Sequence, residues 1–68
     1  MSISEKIKQK RCEIGLSQYE LALKVKSLNQ SQISKIEQGS RNVTAEDLIS
    51  IAKALNVPVS ELISEVHQ

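Results

Sequence analysis

Residues 17–39 read SQYELALKVKSLNQSQISKIEQG, and this stretch holds two short helices joined by a turn. Ser17 followed three residues later by Glu20 is a capping box, in which hydroxyl and carboxylate each satisfy the other residue's backbone N–H. Leu21, Ala22 and Val25 then share one face of a helix running from Gln18 to about Val25. After Lys26-Ser27-Leu28, Asn29 with Gln32 caps a second helix, whose only apolar residues are Ile33 and Ile36 and which Gly39 ends. A helix with two apolar anchors has to lie on the outside of its bundle. It shows Gln30, Ser31, Gln32, Ser34, Lys35 and Gln38 to solvent, amides and hydroxyls with one cation. Exposed helices usually mix Glu and Lys for solubility, whereas amides and hydroxyls hydrogen-bond base edges in the major groove.

Three more helices flank this pair. Ser2 with Glu5 opens the first, carrying Ile3, Ile7 and Ile14 up to Gly15. Thr44 caps a fourth, in which Leu48, Ile51, Ala52 and Leu55 hold the i, i+3, i+4, i+7 pattern up to Asn56. Pro58 suits the first turn of a fifth, carrying Leu62, Ile63 and Val66. The expected fold is all-α, five helices in a single domain over residues 1–68, without repeats or linkers.

With 68 residues, 40% of them hydrophobic, and a formal charge of +1, the chain has apolar surface to bury and little self-repulsion. No apolar run approaches the ~20 residues that cross a bilayer, so a soluble, cytoplasmic protein without membrane contact is expected. One cysteine, Cys12, excludes an internal disulfide, and with His67 as the single histidine no zinc site is expected. These two stand at opposite ends of the chain, and the two glycines, Gly15 and Gly39, are too far apart to cradle a phosphate. Neither enzyme activity nor a cofactor is expected. Cys12 reads as a small core or half-buried residue, the usual place of an unpaired cysteine. Charge is segregated: through residue 41 eight cations oppose four carboxylates, net +4, and beyond it Lys53 opposes four carboxylates, net −3. The front half is therefore the side expected to meet a polyanion.

The chain resembles the Cro and lambda-repressor-like helix-turn-helix family over residues 3 to 63. The carrying segments are Ile-Lys-Gln-Lys-Arg at 7–11, Gly-Leu-Ser-Gln-Tyr-Glu-Leu-Ala at 15–22, Gln-Ile-Ser-Lys-Ile-Glu-Gln-Gly at 32–39 and Leu-Ile-Ser-Ile-Ala-Lys-Ala-Leu-Asn-Val-Pro at 48–58. The resemblance implies a helix-turn-helix over about 17–38, formed by helices two and three, with the latter in the major groove of double-stranded DNA. Gln30, Ser31, Gln32 and Lys35 become the base-contacting set. Gln18 would grip a phosphate and brace Gln30, with Tyr19, Gln38, Ser40, Arg41 and Asn42 as further backbone contacts. Arg11 and Glu37 match the family's structural ion pair. One departure stands out: Lys26-Ser27-Leu28-Asn29 is about one residue longer than the family's turn and lacks its glycine, so a path that avoids a left-handed corner is expected.

The function so implied is a sequence-specific transcriptional regulator, a repressor, of bacterial or phage origin and nucleoid-associated when bound. Ile49, Val59, Ile63 and Val66 cannot all point inward from two short helices, and are assigned to a homodimer interface serving an inverted-repeat operator. An antitoxin or a restriction-modification controller would share this fold. A helical interaction module that does not bind DNA is the rival from another class. With no ligand domain in view, any sensing would pass through a regulatory partner protein or through concentration.

Overall fold

Ser2, Ser17, Asn29 and Thr44 each open a helix with the same pair of reciprocal bonds. In a computed structural model, which describes residues 2–63, these helices are α1 (Ile3–Ile14), α2 (Gln18–Val25), α3 (Gln30–Gln38) and α4 (Ala45–Leu55), followed by α5 (Ser60–Ile63). In the second box the Glu20 N–H donates to Ser17 Oγ at 3.0 Å, and the Ser17 N–H donates to Glu20 Oε1 at 2.8 Å. Gln32 and Asn29 exchange bonds of 2.8 and 2.9 Å in the same way. Gly15 and Gly39 end α1 and α3 at φ +87° and +79°, where a side chain would be strained. Asn56, at φ 58°, ends α4 in the left-handed conformation that asparagine tolerates.

The core gathers one face of every helix. Ile7, Leu21, Ile33, Ile36, Ile51, Leu55 and Leu62 are all but completely buried, with Ala22, Val25, Leu28 and Ala52 around them. α3 lies against α1 and α2, α4 against α1 and α2, and α5 against α1. Lys10 of α1 also reaches Glu61 of α5 at 3.2 Å, and this contact raises its pKa.

Several expectations need correction. Cys12 is exposed rather than half-buried, because Arg11, at i+4 from Ile7, takes the inward position next to it. Ile14 is 49% exposed; the reversal at Gly15 gives the core position to Leu16 instead. α5 starts at Ser60, not at Pro58, because Pro58 and Val59 form the turn before it, accepting bonds from the Glu61 and Leu62 N–H groups. The turn after α2 does bend through positive φ without a glycine. Lys26 sits at φ 70°, ψ −38°, and the Ser27 N–H bonds back to the Val25 carbonyl at 2.8 Å, a γ-turn of the rare, strained kind. Leu28 explains why the bend persists: 5% exposed, it anchors the turn in the core.

Candidate nucleic-acid interface

Ile33 and Ile36, each fully buried, fix the rotation of α3 about its axis. At about 3.6 residues per turn, Ser31 and Gln38 fall opposite them, Ser34 and Lys35 flank that line, and Gln30 lies at its edge. Gln30, Ser31 and Lys35 are exposed, and among the described residues their side chains have no partner. Gln32 differs from these three. It is half-buried and its Oε1 is held by the Asn29 N–H, so only its Nε2 remains to donate. Ser34, read from sequence as solvent-facing but not assigned to DNA, belongs to this face: the Gln38 side chain donates to its Oγ at 3.1 Å, which fixes the amide along the helix. The i, i+4 spacing of the two was the available signal.

Behind α3, Arg11 and Glu37 meet in a two-pronged ion pair, Nε to Oε2 at 2.7 Å and Nη2 to Oε1 at 3.0 Å. Their side chains are only 10% and 2% exposed. The second Arg11 terminal nitrogen donates to the Leu16 carbonyl at 2.7 Å, so one guanidinium ties α1 to α3 and to the turn before α2. The bond to Glu37 raises the Arg11 pKa, partly opposed by desolvation. Gln18 joins the same carboxylate, its Nε2 donating to Glu37 Oε1 at 3.1 Å. The first residue of α2 is thus oriented from the end of α3, by Glu37 and not by Gln30.

Beyond α3, the Ser40 hydroxyl bends back to the Lys35 carbonyl at 3.2 Å, and Asn42 is exposed. Arg41 is half-buried, 3.7 Å from Asp47, and its Nε is buried without a hydrogen-bond partner among the described residues. Tyr19 stands 57% exposed on α2 and lines a groove with Gln30. The charge segregation seen along the chain is reduced in space. Lys10–Glu61 and Arg41–Asp47 join the basic half to the acidic half, and Arg11 is taken by Glu37. Lys8, Lys24, Lys26 and Lys35 remain exposed without an ion pair among the described residues.

Of the residues assigned to a dimer, Ile49 is 46% exposed on α4. Val59 and Ile63 are half-buried and pack against the core, so they offer only an edge. Val66 lies outside the described residues. No helix among those described is long and apolar enough to cross a membrane, and no metal-binding group of His, Cys, Asp or Glu is found among them.

A capped helix on a short turn, laid across its partner with a polar face outward, is the architecture of a helix-turn-helix domain. A family model described as Helix-turn-helix matches residues 7–62. "Control protein C.SmaI" of Serratia marcescens is 37% identical over 62 residues, covering 91% of this chain and 73% of that protein. An "Uncharacterized transcriptional regulator in ATPase CF(0) region" of Rhodospirillum rubrum is 32% identical over 66 residues, 97% of this chain; the chain spans only 60% of that relative. Among solved structures, the restriction-modification controller protein C.AhdI from Aeromonas hydrophila superimposes with a TM-score of 0.84 at 32% identity, over 88% of this chain and 86% of that one. The chain belongs to the lambda-repressor-like helix-turn-helix family of DNA-binding regulators.

Proposed function

We propose that this chain is a sequence-specific transcriptional repressor that binds an inverted-repeat operator in double-stranded DNA as a homodimer, with α3 in the major groove. The observation that carries the reading is the outward face of α3. Gln30, Ser31 and Lys35 stand exposed with no partner among the described residues, and the first turn has no carboxylate, whereas α1 and α2 each have one there and α4 has two. An amide here suits the N6 and N7 edge of adenine, and a lysine suits guanine O6 and N7. Gln18, Tyr19, Gln38, Ser40, Arg41 and Asn42 would set register on the backbone. Arg41 is half-buried and held by a single 3.7 Å contact to Asp47, which a phosphate would replace.

The test is selection of bound sequences from a random duplex pool, followed by Gln30→Ala. A base-reading Gln30 predicts a loss of about 1–3 kcal/mol on the selected site with little change on random DNA. Equal loss on both removes the assignment. A helical interaction module would select no sequence and bind bulk duplex without the steep salt dependence of phosphate contacts.

A second reading, a restriction-modification controller, is favoured by the likeness to C.SmaI and C.AhdI. It predicts that the selected sequence lies upstream of restriction and methyltransferase genes. A site far from any such genes would exclude it.

A further inference from the structure

The outer face of α2 carries an apolar groove that the DNA-facing set shares only at Tyr19 and Gln30. Tyr19 and Leu23, one turn apart, are each 57% exposed and line it together with Ala22, the buried Leu28 of the strained turn, Lys26, Asn29 and Gln30. Two of the four large apolar side chains exposed among the described residues are thus neighbours here, at the mouth of a cleft of about 470 Å³. That volume lies in the range of small-molecule sites, roughly 300–1,000 Å³.

The polar groups at its edge are weighted towards donors, the acceptors being the Gln30 amide oxygen and the Tyr19 hydroxyl. Lys26 is exposed and forms no ion pair among the described residues. Asn29 has its Oδ1 committed to the Gln32 N–H, so its free group is the Nδ2 donor. The Tyr19 hydroxyl and the Gln30 amide are without partners among the described residues, and no carboxylate lines the cleft. A ring, two leucines, an ammonium and an excess of donors are complementary to a small anion with a flat apolar body. The chemistry fits an aromatic carboxylate better than a neutral apolar molecule, which would leave the donors unmatched. We infer that this groove is an effector site for a small aromatic carboxylate, and that the occupied groove excludes DNA. The second half rests on the proposed reading, because Tyr19 and Gln30 line the groove and also belong to the DNA-facing set.

The probes are 2-naphthoate and, as its uncharged counterpart, 2-naphthylmethanol, titrated into the ¹⁵N-labelled chain without DNA. Naphthoate is expected to give saturable amide shifts at Tyr19, Leu23, Lys26 and Leu28, and the alcohol to bind more weakly. Lys26→Gln should weaken naphthoate by about threefold, as an exposed ion pair allows. Leu23→Glu should abolish the shifts at an unchanged melting temperature. Shifts centred on Ile14 or Ile49 instead, equal binding of the alcohol, or groove shifts that depend on protein concentration alone, which would mean a second copy docks there, each overturn the site. A second titration adds naphthoate to the chain bound to its selected duplex. Release of DNA is expected from the parent and not from Leu23→Glu. Binding of naphthoate with no release overturns the exclusion while leaving the site, whereas failure to bind any duplex is failure of the proposed function and leaves the first titration standing.

Discussion

Glu37 is the residue on which the geometry of the reading face converges. Its carboxylate, 2% exposed, takes two bonds from Arg11 and one from Gln18, so α1, α2 and α3 are joined at one buried anion. Arg11→Met would leave that anion with Gln18 alone among the donors found here, and removing one partner of a buried pair costs about 3–5 kcal/mol. A domain of this length has roughly 3–10 kcal/mol in total, so the melting temperature should fall steeply and DNA binding with it. Arg11→Met/Glu37→Met, which removes both charges, should recover part of the loss. An Arg11 variant that melts like the parent but no longer binds DNA would place Arg11 on the DNA. A milder test uses acid. The Ser17 backbone and hydroxyl bonds hold the Glu20 carboxylate below its ordinary value of 4.5. A group depressed on folding stabilises the fold above its unfolded pKa, and that contribution is lost as pH falls through the folded one. The Ser17 amide signal should therefore move with a midpoint below pH 4.5, and a midpoint at or above it would mean the box is open in solution.

The first four helices were legible because each of their starts and nearly every stop carries a local signal. Four cap residues, two glycines and Asn56 mark ends that need no distant partner to be read. What escaped reading depends on contacts far along the chain. Leu28 sits in a turn, and nothing local shows that it reaches the core; Cys12 is exposed because its neighbour Arg11 turns inward to the Glu37 partner read for it, 26 residues away, a consequence for Cys12 that its own surroundings in the chain do not show. Lys26 is the same kind of case. The longer turn has no glycine, yet burial of Leu28 draws the chain through φ 70° at the preceding corner. Left-handed backbone costs a side-chain-bearing residue about 1–2 kcal/mol, and glycine loses about 0.5–1 kcal/mol more entropy on folding. Lys26→Gly should therefore raise stability by up to about 1.5 kcal/mol, several degrees in the thermal midpoint. A lowered midpoint would show that the corner is unstrained, or that the lysine stem contributes packing there.

For the molecule as a whole, the open question is how one short reading helix gains specificity. α3 spans nine residues, and a single helix of that length reaches only a few base pairs. Two copies related by a two-fold axis would double the sequence read and square the preference between sites, which is why the homodimer forms part of the proposal. The surface for it has to lie away from α3. Sequence alone does not rank Ile49, Val59, Ile63 and Val66, but Val59 and Ile63 already give part of their area to the core and Val66 lies beyond the described residues. Ile49, 46% exposed on α4, is the anchor with least to lose inside its own chain. Ile49→Glu should therefore separate the copies while leaving the melting profile of the monomer nearly intact, whereas Ile63→Glu should do both kinds of damage. With the dimer intact, the two α3 helices would meet half-sites about 34 Å or 10–10.5 base pairs apart, and a duplex carrying both should bind cooperatively. Sedimentation of each variant, with titration against half-site and full-site duplexes, checks this. If Ile49→Glu sediments as the parent does and binds the full site as cooperatively, the two-fold surface is not on α4.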